Sequence, residues 1–421
     1  MKFKTEAGDQ TQYLTHEFND NTIRFIVTYS GHIHGQTLQK AAEMLVRRIV
    51  VLHSSFHVNV LGTKWIVNEE YAADDFTVIK KVSANVLDAA KEAALHAISY
   101  SDTVQIRCYL FYNESESALV FLVGHMCADG RDALYLLQKL IEIYHVLDAG
   151  GTGEEVLLKN GNRSIEQCCT DPDMLSIDLQ KIKSENFNGI KSSYSYCTQE
   201  AGEPRLMECT IPANNIAFCR GLVEGSTVND VILAAYFRAY VRQMHLTEDT
   251  PVGIATMMDL RKYISDGHSD GVTNLSAPLN IDLPEGIGTD YRHTLYKVVK
   301  QTSAAKNNHG AGLDLLLVLK KFYQLVPFPL AIHLGRKVYR DMSIGLTNLG
   351  GIKRSSLNLS GCQADTFIFA GPMKKKPALQ LSASGMDKAV CLCIVSVCTS
   401  QDQVQLEELL RLTGAEIKNA Q

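Results

Sequence analysis

The chain has 421 residues, of which 46% are hydrophobic and 21% charged, and its formal net charge is −5. This length exceeds one ordinary core and fits two domains of about 200 residues each. A net negative chain without a basic stripe lacks the footprint of a nucleic-acid partner, which is held by neutralising phosphates.

The amino-terminal stretch MKFKTEAGDQTQYLTHEF has no apolar core of the signal-peptide kind, so a cytoplasmic location is expected. Thr22 to Ser30 alternates as a strand does, and Gln36 to Leu52 carries helical spacing through Leu38, Ala41, Ala42, Leu45, Ile49 and Leu52. Lys64 to Asn68 and Phe76 to Val82 read as short strands, Val86 to Ile98 as a helix and Val104 to Tyr112 as a strand. His32 with His34, and His53 with His57, have the spacing of paired metal ligands. Neither pair has a third ligand nearby, and both read as surface or satisfied histidines.

Ala118 to Val123 is an unbroken apolar run with a β-branched and aromatic bias, the pattern of a strand buried on both faces. From Leu134 the apolar positions fall at Leu137, Leu140, Ile141 and Tyr144, a helix with one buried stripe. Between them runs Gly124-His125-Met126-Cys127-Ala128-Asp129-Gly130. The glycines at both ends suit a turn, and Asp129 suits a helix cap. A histidine at the end of a core strand is partly dehydrated yet reachable, with a pKa near neutrality, and can take a proton from an attacking hydroxyl or amine. On the residues alone, an equal reading has His125 bonded to a backbone carbonyl and Asp129 only capping the helix. Cys127 is the poorer nucleophile, because nothing in the sequence aims a base at it.

From about Leu147 to Pro204 turn formers dominate, as in GGTGEE, NGNRS, DPD, SENFNG and KSSYS. The expected organisation is therefore an amino-terminal domain over 1–170, a linker over 171–204 and a carboxy-terminal domain over 205–421. Arg205 to Ile211 resumes as a strand, and Ser226 to His245 reads as a largely apolar helix capped by Ser226 or Thr227. Val252 to Met258 is a strand ending at Asp259-Leu260-Arg261, whose charges read by themselves as a solvated pair. Asn274 to Leu283 is a further strand, and Tyr291 to Lys306, Leu313 to Leu325 and Leu330 to Tyr339 are helices.

The apolar stretch Leu313 to Leu334 is too interrupted to cross a bilayer, by Asp314, Lys320, Lys321 and two prolines. Strands follow at Ser343 to Gly351, Phe367 to Ala370, Ala378 to Ala383 and Ala389 to Val397, then a helix from Val404 to Leu412. Lys374, Lys375 and Lys376 read as an exposed basic turn. The eleven cysteines contain no CxxC and no paired spacing for zinc, and an odd count argues for reduced thiols. Cys391 and Cys393 share one face of a buried strand.

The segment HMCADG resembles the HxxxDG motif of the CoA-dependent acyltransferase superfamily. That superfamily has the chloramphenicol acetyltransferase fold and includes peptide-synthetase condensation domains, plant BAHD acyltransferases and alcohol acetyltransferases. Further stretches resemble it in the same order: TVNDVILAA the opening of the second half, Asp259-Leu260-Arg261 the D-L-R strand end, NLSAPLNIDL the Asn-containing strand, and SIGLTNLGG the S/T-N-L-G strand end. Gly124 stands where condensation domains carry a second histidine, and TFIFAGP has no equivalent of the BAHD D-F-G-W-G motif. The chain thus looks most like the stand-alone alcohol acetyltransferase and polyketide-associated acyltransferase branch.

This resemblance implies an α/β fold of mixed sheets in two chloramphenicol acetyltransferase-like lobes, with His125 in a tunnel between them. It implies acyl transfer from acyl-CoA or an acyl carrier protein's phosphopantetheine thioester to a hydroxyl, with an amine as the alternative acceptor. His125 would be the general base, and Asp129 a structural anchor paired with Arg261. Asn348, or a backbone N–H near Gly350, would serve the oxyanion, and Gly130, Asn274 and Gly350 would line the substrate channel. No metal and no permanently bound cofactor is implied. Lys374 to Lys376 would otherwise meet a phosphate of CoA or an acidic carrier-protein helix. The competing classes are an amide-forming condensation enzyme of non-ribosomal peptide type and an inactive homologue that only docks carrier proteins.

Overall fold

Strand Glu116–Gly124 lies inside a five-stranded sheet, between Thr22–Ser30 and Ile106–Tyr112. Its apolar run follows from that position. Leu119, Phe121 and Val123 face one hydrophobic core, Ala118, Val120 and Leu122 face another, and each of these side chains is fully buried. The computed structural model describes residues 1–60, 62–83, 85–169, 189–307, 312–339, 344–359 and 361–420. Thr77–Lys81 forms one edge of the sheet. The other edge is Gln363–Ala370, which comes from the far end of the chain and pairs antiparallel with Thr22–Ser30.

Among the described residues a second sheet has seven strands. It runs Ser276–Leu283, Val252–Asp259, Ile344–Ile352, Leu379–Met386 and Ala389–Cys398, with Lys374–Lys375 and Glu203–Pro212 also paired to the last of these. Helices Val228–Gln243, Tyr291–Asn307 and Ser400–Asn419 contribute to a separate core on this sheet, where Val231, Phe237, Leu295 and Leu406 are buried. A small third sheet joins Lys2–Lys4, Gly62–Val67 and Ser54–Asn59. The architecture is mixed α/β, each of the two larger sheets carrying its own core. No helix among the described residues is long and apolar enough to cross a membrane.

Several elements differ from the sequence reading, each for a local reason. The helix expected over Gln36 to Leu52 is Gly35–Arg48; Ile49 turns extended, and Val50–His53 continues as a 3₁₀ turn that still buries Val51 and Leu52. The helix expected to reach Ile98 stops at Ala93. Its next carbonyls are spent on a side chain, since Arg24, itself 1% exposed, donates from Nε to Ala94 O. Strand Ser54–Asn59 and helices Ala7–Thr15 and Ala213–Gly221 went unread. The stretch from Leu147 is not slack up to Cys169: Arg48 binds the carbonyls of Gly153 and Val156, and Arg163 reaches Asp9. Residues 171–188 of the expected linker, residue 170 before it, and Ser343 lie outside the described residues.

The three lysines are not an exposed turn. Lys374 and Lys375 form a short strand on Ser396 and Val397, only Lys375 is exposed, and Lys376 Nζ is held by Asp402 and the carbonyls of Thr198 and Glu200.

Candidate active site

The motif loop begins where the central strand runs out of partners. His125 N–H donates to Asn21 O at 2.7 Å, and Cys127 N–H turns back to Gly124 O at 3.0 Å. Neither glycine flanking the loop has a left-handed backbone. Gly124 is there for space, since a Cβ would lie 2.5 Å from Gln105 Oε1, whereas Gly130 is simply the first residue of helix Gly130–Asp148. Asp129 caps that helix, accepting from the Asp132 amide at 3.0 Å.

The Asp129 carboxylate is turned away from His125. Its oxygens accept from Arg261 Nη1 at 2.9 Å and Nη2 at 3.3 Å, and from the Leu275 amide at 2.7 Å. Arg261 comes from the 3₁₀ turn Leu260–Tyr263 at the end of strand Val252–Asp259, so it is not a solvated charge: it is 2% exposed. The same guanidinium meets Asp132 Oδ2 at 2.9 Å and Asp259 Oδ1 at 3.0 Å, and Lys159 Nζ adds a further contact to Asp132 at 3.3 Å. Burial alone would raise the Asp129 pKa, but the charge and hydrogen bonds of Arg261 hold it below the usual carboxylate range. Burial raises that of Asp132, which shares the cation. Asp129 therefore has no free oxygen directed at the imidazole, and its work is to lock the loop.

His125 is half-buried. Its Nδ1 lies 3.2 Å from Asn274 Oδ1, in the segment Thr273–Leu275 that runs beside the loop. Asn274 Nδ2 points at three oxygens, the carbonyls of His125 (3.0 Å) and Met126 (3.1 Å) and Asp9 Oδ1 (3.5 Å). That surround fixes the amide, so Oδ1 faces the ring as an acceptor and Nδ1 carries the proton. Nε2 is left with its lone pair, the form a general base needs. Burial lowers the His125 pKa, and the Lys374 charge lowers it too, against opposing contributions from a hydrogen bond to the residue's own backbone, from Asp129 and from Asn274. The net shift favours the neutral ring. Cys127 is fully buried, its Sγ rests on Gly124 O, and burial pushes its thiol up to about 12, which leaves almost no thiolate.

The remaining residues singled out in the sequence fall at varied places. Asn274 precedes strand Ser276–Leu283 and is hydrogen-bonded to the imidazole rather than free in a channel wall. Asn348 lies in strand Ile344–Ile352, where its Oδ1 accepts from the Gly350 amide at 2.9 Å and its Nδ2 reaches Asn229 Oδ1 at 3.5 Å. The Gly350 N–H is thus already spent, and Asn348 Nδ2 is the donor this turn can offer. Leu349 brings the turn to the motif helix, its Cδ1 lying 3.5 Å from the place a Cβ on Gly130 would take. Gly350 has φ 84°, a left-handed turn that favours glycine.

Asn21, Asp132, Lys159 and Ser269 were not identified from sequence, although Asp132, three residues after Asp129 at a helix start, carried a visible signal. His34 Nδ1 contacts Asp148 and His53 Nδ1 contacts Asn68 O. No group of three His, Cys, Asp or Glu among the described residues could hold a metal ion.

No family model matches the chain, and no curated protein matches it by sequence. Solved structures do. The trichothecene 15-O-acetyltransferase TRI3 of Fusarium sporotrichioides superposes with a TM-score of 0.72 at 12% identity, over 99% of this chain and 95% of that one. Polyketide synthase associated protein 5 of Mycobacterium tuberculosis gives 0.67 at 14% identity over 98% of each chain. The starter condensation domain of rhizomide synthetase, solved with C8-CoA, gives 0.68 at 14% identity over 100% of this chain and 96% of its own. The chain has their two-lobed fold along its whole length.

Proposed function

We propose that the protein transfers an acyl group from a thioester, on CoA or on a carrier protein's phosphopantetheine, to a hydroxyl acceptor, with His125 as the general base. The observation that carries this reading is the 3.2 Å contact between Nδ1 and Asn274 Oδ1 on a half-buried ring, from which we assign the proton to Nδ1 and the lone pair to Nε2. Nε2 takes the proton as the acceptor oxygen attacks the thioester carbonyl. The tetrahedral oxyanion is met by Asn348 Nδ2. The C–S bond then breaks, the proton passes from the imidazolium to the sulfur, and an ester and a free thiol leave. No covalent enzyme intermediate, metal or resident cofactor is needed for this sequence of steps. The setting we propose is cytoplasmic, with a tunnel between the lobes admitting thioester and acceptor from opposite mouths, lined in part by Gly130 and Gly350, with Asn274 behind the imidazole.

An amide-forming condensation is the second reading, favoured by the likeness to the condensation domain solved with C8-CoA. Gly124 weighs against it, because Gln105 fills the space beside the position where condensation domains carry their extra histidine. Intact-mass detection of transfer from a mixed acyl-CoA pool, and separately from an acylated carrier protein, tests both with alcohol and amine acceptors side by side. Ester products abolished in His125→Ala are expected. Equal turnover by wild type and His125→Ala on a wide acceptor panel would replace the enzyme reading with that of a carrier-docking protein.

A further inference from the structure

The geometry points to the amino-terminal helix as part of the catalytic apparatus: Gly8 and Asp9 place Asn274, and Asn274 in turn fixes which nitrogen of His125 bears the proton. The inference rests on His125 being the base.

The helix Ala7–Thr15 is short and weakly apolar, yet its first turn is sealed. Gly8 and Asp9 are both buried, Asp9 completely. The Asp9 carboxylate collects five donors. Oδ2 accepts from Trp65 Nε1 at 2.8 Å, Arg163 Nη1 at 2.9 Å and the Glu6 amide at 3.1 Å, while Oδ1 accepts from Arg163 Nη2 at 2.9 Å and faces Asn274 Nδ2 at 3.5 Å. Arg163 also donates to Val272 O (2.7 Å) and Cys127 O (3.1 Å), so one guanidinium ties Asp9 to the segments on both sides of the imidazole. This is more anchoring than a nine-residue helix needs for its own stability.

Gly8 is the second observation. A Cβ there would lie 2.6 Å from Asn274 Cβ and 2.7 Å from its carbonyl oxygen, so the helix backbone sits flush against Asn274. The amide is pressed from behind by Gly8, pulled at Nδ2 by Asp9 and two carbonyls, and left one direction for Oδ1, toward His125 Nδ1. Asp9, Asn274 and His125 form a line of buried acceptor, bridging amide and base. Gly8, Asp9 and Asn274 are positioning residues: they reach the reacting atoms only through the ring.

The test uses the full-length protein with ¹⁵N-labelled histidine. The charged groups around the ring are Asp129 and Lys374, with Asp9 and Arg163 behind Asn274, and all are retained in the variants Gly8→Ala and Asn274→Ala. Wild type is expected to show the Nδ1–H tautomer of His125 near pH 7. Both variants are expected to move its ring ¹⁵N shifts toward the other tautomer and to lower kcat by about 10- to 100-fold with KM little changed. Asn274→Ala removes atoms rather than adding them, and so keeps the test alive if Gly8→Ala does not fold. A wild-type ring protonated on Nε2, or unchanged shifts in a folded Gly8→Ala and in Asn274→Ala, overturns the inference. The tautomer is read without turnover. A wild type with Nδ1–H and no acyl transfer to any acceptor would therefore sink the acyltransferase reading while leaving the placement of the ring intact.

Discussion

Arg261 Nη1 lies 2.9 Å from Asp129 Oδ2 across the boundary between the two large sheets, and each side chain is 2% exposed. A guanidinium so dehydrated is tolerable only because Asp132 and Asp259 also touch it. Such a pair specifies geometry more dependably than it adds net stability, but breaking it from one side strands a buried charge.

Arg261→Ala should therefore be worse than Asp129→Asn, because it strands two buried carboxylates and not one cation that keeps other partners. A loss of about 3–5 kcal/mol is expected for Arg261→Ala in denaturant unfolding. Combined with Asp129→Asn, it should be clearly non-additive. Additivity would mean the two residues do not act as a unit.

His125→Ala should lower kcat by about 10²- to 10⁴-fold, the usual worth of a positioned base. The half-buried ring contributes little to either core, so the melting temperature should hardly move. A large fall in melting temperature would assign the loss of activity to folding instead.

The pH–rate profile follows from the lowered His125 pKa, whose main cause is burial. The neutral ring is the active form, so the acid limb of kcat/KM should have its midpoint below about 6.5, the ordinary histidine value. Stability has the same sign. The unfolded chain binds this proton more readily than the native one, so the ring's contribution to stability is lost as pH falls from about 6.5 toward the native pKa. A midpoint at or above 6.5 contradicts the burial argument.

Gly124→His should not create a condensation enzyme. Its Cβ would sit 2.5 Å from Gln105 Oε1, inside a packed layer with Ile98. Differential scanning calorimetry should register an overpacking cost of about 1–3 kcal/mol, with no gain of amide products.

Cys127→Ala should keep kcat within a few-fold of wild type, since a thiol with a pKa near 12 supplies no nucleophile. Inactivation of this variant, assayed with a melting curve to check folding, would reopen covalent catalysis.

The sequence was legible where periodicity and local caps decide the structure. The run from Ala118 to Tyr144 announces strand, turn and helix, since an unbroken apolar run marks a strand buried on both faces whatever residues complete its cores, and Asp129 caps its own helix. The motif likewise pointed to Arg261. What stayed hidden depends on contacts distant in sequence. Nothing local to EAGDQTQ indicates that Asp9 bonds Arg163, 154 positions on, or that Asn274, 265 positions on, leans against it. The polarity around Arg163 reads as turn-rich loop because the partners that bury it come from elsewhere. Lys376 appeared exposed for the same reason, its carboxylate partner being Asp402.

Strand Gln363–Ala370 pairs with Thr22–Ser30 across a sequence separation of 338 at Thr28 and Thr366, and so completes the sheet that contains the motif strand. During synthesis, that sheet keeps an open hydrogen-bonding edge at Thr22–Ser30 until Gln363–Ala370 has emerged from the ribosome. The histidine loop is made early yet held in a finished sheet only late, so a nascent chain cut short before residue 363 would expose a ready template for aggregation.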